Sequence, residues 1–231
     1  MKTVIFDLDG TLADTSGDLI AAANFCFRTM GARDVLDPAR DQGTALRGGR
    51  AMLKLGMQRL GEGAESTLID EYYPVLLEAY GQSIDVHTTI YPGAMAAIER
   101  LKSDGYGVGI CTNKPEGLAD TLLQRLRIRD AFASLVGADT LPVRKPDPAP
   151  LFEAARRAGG RPDACVLVGD SDTDRDTARA ARVPSILVTF GPAGGDMAAL
   201  APEALLQNYE DLPRIVGEVL GAAAGSSGAQ I

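Results

Sequence analysis

Histidine occurs once in the 231 residues, at position 87. One imidazole leaves almost no material for a histidine-based zinc site or a Ser-His-Asp triad, and His87, in a polar stretch, defaults to a surface or hinge role. Cysteine is scarce as well. Cys26, Cys111 and Cys165 are odd in number and lie among apolar neighbours, so free core thiols in a cytoplasmic protein are expected. Cys111 carries no mark of the depressed pKa that a nucleophile needs. No apolar run approaches the roughly 18 residues of a membrane span, and Asp7 interrupts the opening MKTVIFDLDG before a secretory core can form. Positive charge is in deficit: 23 Lys and Arg stand against 31 Asp and Glu, for a net charge of −8. Nonspecific binding to nucleic acid or an anionic membrane is therefore not expected. Any phosphate site must be made attractive locally, by a cation or by aimed donors. Two common phosphate signatures are also missing. No GxxxxGKS or GxxxxGKT loop occurs, and GYGVG at 105–109 enters a strand instead of opening a helix.

What is present is an ordinary globular composition, 45% hydrophobic and 23% charged, on a chain long enough for one large domain or a core with a smaller insert. Five apolar runs read as strands: Val4–Phe6, Val108–Cys111, Leu135–Val136, Cys165–Val168 and Ile186–Thr189. Several are continuous instead of alternating, as in a parallel sheet covered on both faces. Helical stretches separate them at Ala94–Lys102, Gly117–Leu126, Pro150–Ala158 and Asp174–Arg182, which is the pattern of a parallel α/β fold. One region breaks the alternation. From about Ser16 to Gly81 the pattern is helical, with candidates at Asp18–Met30, Ala51–Leu60 and Thr67–Tyr80, the last containing Pro74. The expected organisation is a discontinuous core over 1–15 and 83–220, an inserted helical cap over 16–82, and a flexible tail over 221–231. Ser83–Tyr91 reads as the return linker. There is no internal repeat.

Open parallel sheets bind ligands outside the carboxyl ends of their strands, and polar residues gather there. Asp7 and Asp9 follow the first run, and Thr112, Asn113 and Lys114 the second. Lys145 lies in the loop after the third, and Asp170, Ser171, Asp172 and Asp174 follow the fourth. Taken singly each has a plain reading: Asp9-Gly10 as a turn, Thr112-Asn113 as a helix cap, Lys145 as a solvated loop lysine. Four such groups at one end of one sheet make a site. GDSDTDRD is not a calcium loop, because Arg175 stands where the turn glycine belongs and Ala181 where the bidentate Glu belongs.

The material that remains is carboxylates, one lysine and hydroxyl or amide donors. Asp7, Asp9 and Asp170 make a hard oxygen site suited to Mg²⁺. Side chains alternate along a strand, so Asp7 and Asp9 cannot both point the same way. If the chain bends after Leu8, Asp9 can offer the metal its backbone carbonyl and keep its carboxylate for another role.

DLDGT at 7–11, TNK at 112–114, RKPDP at 144–148 and GDSDTD at 169–174 resemble the four ordered motifs of the haloacid dehalogenase superfamily. The resemblance runs from Lys2 to about Gly191. It implies a Rossmann-like core with the helical block as its cap. Within the superfamily the chain is most similar to the phosphoglycolate phosphatases, through GADTLPVRKPDPAPL at 137–151, IYPG at 90–93 and VTFGP at 188–192. Pyrophosphatases, sugar-phosphate phosphatases and phosphomutases of the beta-phosphoglucomutase kind share parts of these markers. The resemblance implies that Asp7 is the nucleophile and Asp9 the acid and base. Asp7, the backbone carbonyl of Asp9 and Asp170 would hold Mg²⁺, supported by Asp174. Thr112 and the amide of Asn113 would bind phosphoryl oxygens, and Lys145 would balance their charge.

The expected partner is a small phosphorylated metabolite, acted on by a monomer or homodimer. The implied cap would close over the sheet edge and read the rest of the substrate, which for 2-phosphoglycolate is a carboxylate. Arg47, Arg50 and Lys54 have helical spacing and could share one face, either as that reader or as a solvated basic face; Arg47 is the candidate carried forward. A mutase would return the phosphoryl group to its intermediate and need a bisphosphate activator. A non-catalytic binding module would need a damaged motif, and none is damaged. Dehalogenation, an attack at carbon, would need neither Asp9 as proton donor nor a metal.

Overall fold

The structure is a computed structural model and describes residues 1–62, 67–191 and 194–226. Pro192 of the VTFGP stretch and residues 227–231 of the expected tail lie outside the described residues. In chain order the elements are β1 (Thr3–Phe6), β2 (Ala13–Asp14), α1 (Ser16–Thr29), α2 (Gln42–Ala45), α3 (Gly49–Arg59), α4 (Leu68–Gln82), β3 (Thr89–Ile90), α5 (Ala94–Ser103), β4 (Gly107–Cys111), α6 (Glu116–Arg125), β5 (Ser134–Val136), α7 (Ala149–Arg157), β6 (Cys165–Gly169), α8 (Asp172–Ala181), β7 (Ser185–Val188), β8 (Ala204–Leu206) and α9 (Leu212–Ser226). Contacts divide the chain into two units: Met1–Ala13 with Ile90–Ile231, and Asp14–Thr89. The helical unit thus starts at Asp14 and ends at Thr89, wider than the 16–82 expected.

The first unit is a six-stranded sheet in the order β5-β4-β1-β6-β7-β8. Every pairing in it is parallel, with Phe6 of β1 opposite Ile110 of β4 and Val168 of β6. Val4, Ile5 and Phe6 are all fully buried, which is why β1 reads as a continuous apolar run. Ile5 and Leu167 belong to one buried cluster with Leu151, Ala155 and Ala178 of α7 and α8. Their neighbours Val4, Phe6, Val166 and Val168 alternate to the other face and are equally buried. Gly109 in β4 is required by packing: a Cβ there would meet the Ser134 hydroxyl at 2.0 Å. The strand order reverses at β1, so the ends of β4, β1 and β6 surround the topological switch point where ligands of such sheets bind.

The sequence reading missed β8 and α9. β8 is a three-residue edge strand without a β-branched residue and with Leu205 exposed, too short to carry a pattern. In α9, Leu212, Ile215, Val216 and Leu220 are buried at helical spacing. The helix continues to Ser226, so residues 221–226, expected as flexible tail, are helical. Their alanines favour helix, and small residues alone do not make a flexible segment.

The second unit is the helices α1 to α4. The carboxylate of Asp18, in the first turn of α1, accepts from His87 N at 2.9 Å, Thr88 N at 2.9 Å and the Thr88 hydroxyl at 2.7 Å. The return segment is therefore fastened through backbone and hydroxyl, and the His87 residue itself is exposed. Arg47, Arg50 and Lys54 do not share a helical face. Gly48 stands between α2 and α3 at φ +93°, ψ 170°, a conformation open to glycine alone, and breaks the helix there. Arg50 is engaged by Asp70 at 2.6 Å and lies over the Tyr73 ring at 4.6 Å. Among the described residues no helix is long and apolar enough to cross a membrane.

Candidate active site

The site begins where β1 stops. Asp7 N still donates to Val168 O at 2.9 Å, so Asp7 is anchored to β6. The chain then turns. The carbonyl of fully buried Leu8 accepts from Leu12 N at 3.0 Å and Ala13 N at 3.2 Å, and Gly10 takes φ +80°. With Leu8 driven into the core, Asp7 and Asp9 face different partners.

Asp7 joins an acidic cluster. One carboxylate oxygen each from Asp7, Asp170 and Asp174 lie within 4.8 Å of one another. Lys145, 3% exposed, places its ammonium 3.1 Å from Asp7 Oδ1 and 2.6 Å from Asp174 Oδ1. It is a buried cation of the site and not a solvated loop lysine. The second oxygen of Asp174 accepts from the Ser171 hydroxyl at 2.6 Å and from Asp170 N and Ser171 N at 3.2 Å. Ser171 Oγ in turn accepts from Asp174 N, completing a capping box on α8. Asp174 thus supports the site with one oxygen on Lys145 and the other on the turn that carries Asp170. The turn leaves no room at Gly169, where a Cβ would lie 2.3 Å from Asp174 Cγ. Asp170 is held from the other side by the Thr11 hydroxyl at 2.8 Å, and the Thr11 carbonyl accepts from the Tyr209 hydroxyl at 2.6 Å. Because α8 begins at Asp172, residues 170–181 form a turn and a helix, not a calcium loop.

Asp9 stands apart from that cluster. Both its carboxylate oxygens accept from the Lys114 ammonium, at 2.6 and 2.8 Å. The loop after β4 that carries Lys114 is knitted at several points. Lys114 N donates to the Thr112 hydroxyl at 3.2 Å, Ala138 N donates to Lys114 O at 2.9 Å, and the Asn113 side-chain amide donates to Lys145 O at 3.0 Å. Carboxylates one residue apart therefore occupy two electrostatic settings, each with its own lysine.

Two buried carboxylates, Asp170 and Asp174, and the half-buried Asp7 against one ammonium leave the cluster short of positive charge. Burial pushes the Asp7 carboxyl up to about 6; Lys145 opposes this, and Asp174 and Asp9 reinforce it. Asp170 is also raised, by burial first and then by Asp174 and Asp7. Lys145 is raised, because Asp174 and Asp7 outweigh the opposing effect of its burial. The cluster fits a small hard cation, with oxygen ligands and neither imidazole nor thiolate among them. A consequence can be measured in chelator. The folded protein keeps the Asp7 proton to higher pH than the unfolded chain, whose reference value is 3.8. Unfolding then releases protons between those values, so stability falls as pH rises from 3.8 to about 6. Melting from pH 4 to 7 should show wild type losing several degrees relative to Asp7→Asn; parallel curves would contradict the assignment.

Of the residues singled out in the sequence, Asp7, Asp170, Asp174 and Lys145 come together in one cluster. Asp9 lies on Lys114, Thr112 is buried in the same loop, and Asn113 is exposed with its side chain turned to Lys145 O. Arg47 is exposed in the helical unit and pairs with no described carboxylate. The cysteines are free and buried, and burial pushes Cys26 up to about 11 and Cys111 and Cys165 to about 12, which removes them as nucleophiles. Sequence reasoning placed Lys114 and Ser171 among the polar residues at the strand ends, and Thr11 within DLDGT, without giving any of them a task, and gave Tyr209 no part in the site. Of their tasks only that of Ser171 had a local signal, three residues before an acidic residue at a helix start.

The chain matches the family model of haloacid dehalogenase-like hydrolases over residues 1–182. It is 35% identical over 222 residues to a phosphoglycolate phosphatase of Mesorhizobium japonicum, covering 96% of this chain and 97% of that protein. It is 36% identical over 234 residues to one of Rhodospirillum rubrum, covering 96% and 95%. A solved structure, described as a predicted phosphoglycolate phosphatase from Haemophilus somnus, shares the fold with a TM-score of 0.81 at 23% identity, covering 93% of this chain and 97% of that one. A match over most of the chain, and relatives of this similarity along nearly its whole length, lead to one conclusion: the chain belongs to the haloacid dehalogenase-like hydrolases.

Proposed function

We propose that the protein is a Mg²⁺-dependent phosphatase that hydrolyses a small phosphate monoester, foremost 2-phosphoglycolate, through a phospho-aspartate on Asp7. The observation that carries this reading is the division of the two neighbouring aspartates, Asp7 beside Lys145 and the acidic cluster, Asp9 on Lys114. The names of the relatives suggest the substrate.

In the first half-reaction an Asp7 oxygen attacks phosphorus and the bond to the leaving oxygen breaks. Asp9 gives that oxygen its proton. In the second half, Asp9 takes a proton from water, the water attacks phosphorus, and the Asp7–phosphorus bond breaks to release inorganic phosphate. Lys145 offsets the repulsion between a dianionic phosphate and the Asp7 carboxylate. The Thr112 hydroxyl and the amide of Asn113 bind phosphoryl oxygens. Asp7, Asp170 and the backbone carbonyl of Asp9 would hold Mg²⁺, with Asp174 supporting them. When bound, the ion would neutralise developing charge on the phosphoryl oxygens. Arg47 is assigned to the substrate carboxylate.

Phosphate release should be measured over a panel of small phosphate esters. Activity should vanish in chelator, return with Mg²⁺ and return poorly with Ca²⁺, whose looser coordination misplaces the nucleophile. Full activity in metal-free buffer contradicts the proposal, and a strict need for a bisphosphate activator would identify a mutase. Arg47→Ala should lower kcat/KM for 2-phosphoglycolate by about 10- to 150-fold, the range for a hydrogen bond to a charged group, and spare an ester that lacks a carboxylate. Equal losses on both would remove Arg47 from substrate selection.

A further inference from the structure

The family motifs account for Asp9 and leave open what aims it. Lys114 is 7% exposed, so its stem and ammonium are both withdrawn from water. A buried ammonium needs a partner, and this one donates to both oxygens of a single carboxylate. Two donated bonds fix the carboxylate in rotation as well as in position. The lysine is itself rigidly based, since its backbone N and O are bonded to Thr112 and Ala138. Lys145 is engaged by Asp7 and Asp174, so the two lysines divide the aspartates between them. Resting on the phosphatase reading above, we propose that Lys114 is the positioning residue for Asp9, holding its carboxylate away from the Asp7–Asp170–Asp174 cluster and in the orientation that activates water against phospho-Asp7.

A lysine beside a phosphate site could instead bind phosphate directly, and the two roles differ in what they change. A phosphate ligand acts on affinity; a residue that acts through Asp9 acts on proton transfer and loses its effect once Asp9 is gone. Lys114→Met keeps the length and removes the charge. With nitrophenyl phosphate it should retain a burst near one nitrophenol per site, because nitrophenolate leaves without a proton and Asp7 is intact. Steady turnover should fall about 10- to 100-fold, the cost of a misaimed group, with inhibition by inorganic phosphate unchanged. Asp9→Asn with Lys114→Met should be no slower than Asp9→Asn alone. Lys114→Arg, which restores the cation, should recover part of the turnover.

A tenfold weakening of phosphate inhibition, or a further multiplicative loss in the double variant, would overturn the proposal and make Lys114 a phosphate ligand. Steady turnover at the wild-type rate would overturn it as well and leave the phosphatase reading standing. Absence of phosphate release from the wild-type protein overturns both. Should Lys114→Met fail to fold, Lys114→Arg carries the test, since it keeps the charge and shifts it. Reduced turnover with unchanged burst and unchanged phosphate inhibition supports the proposal, and weakened inhibition overturns it.

Discussion

Asp9→Asn should take up a phosphoryl group and then fail to release it. The substitution keeps Asp7, its contact with Lys145 and the backbone carbonyl at position 9, and removes only the carboxylate that sits on Lys114. An alkyl phosphate needs a proton on its leaving oxygen, so 2-phosphoglycolate should not react. General acid–base catalysis contributes about 10²–10⁴-fold, and both half-reactions would lose it. Nitrophenyl phosphate can still phosphorylate Asp7, so rapid mixing should give a burst near one nitrophenol per site, followed by turnover slowed by about that factor. Asp7→Asn should give neither burst nor turnover. A linear trace at near-normal rate from Asp9→Asn would show that Asp9 is not the proton-transfer group, and a burst from Asp7→Asn would put the nucleophile elsewhere.

Lys145→Met should abolish turnover without abolishing metal binding. Lys145 is the cation that touches both Asp7 and Asp174 inside the acidic cluster. Its removal takes away charge balance that a phosphate dianion needs, a loss expected to lower kcat by at least about 10²–10³-fold. It also leaves buried carboxylates uncompensated, which costs about 3–5 kcal/mol when one partner of a buried pair is deleted. A divalent cation relieves that same excess charge. The rise in Tm on adding Mg²⁺ should therefore be at least as large in the variant as in wild type, although the variant is inactive. Activity within tenfold of wild type, or loss of the Mg²⁺-dependent rise, would contradict the role given to Lys145.

The elements that carry the site were the legible ones, for a physical reason. β1, β4 and β6 are central and buried on both faces, so each must be a continuous apolar run, and a carboxylate or hydroxyl at its end stands out. β8 lies at the edge, where three ordinary residues complete a ladder already templated by β7. Asp7 and Asp170 were legible because carboxylates next to buried strands need a partner. Lys114 was legible as a polar residue at the end of a strand, but its task was not. That task lies in burial and in a contact with Asp9 across 105 residues of chain, and neither leaves a mark in local sequence. Tyr209 is the stronger case: it reaches Thr11 from 198 residues away, beyond the part of the chain that carries the family motifs. The common face expected for Arg47, Arg50 and Lys54 erred in the other direction, because helical spacing was assumed across Gly48, whose backbone conformation ends that spacing.

The central claim is that a covalent phosphoryl group forms on Asp7. Asp9→Asn, mixed with nitrophenyl phosphate and quenched in acid at the end of the burst, should hold that group as an acyl phosphate. Reduction with labelled borohydride converts an acyl phosphate to an alcohol and marks the residue that carried it, and peptide mass spectrometry then locates the mark. One labelled position is predicted, Asp7, in the stretch spanning residues 4–12. Label on Asp170, Asp174 or any other residue, or a full burst with no label at all, would contradict it.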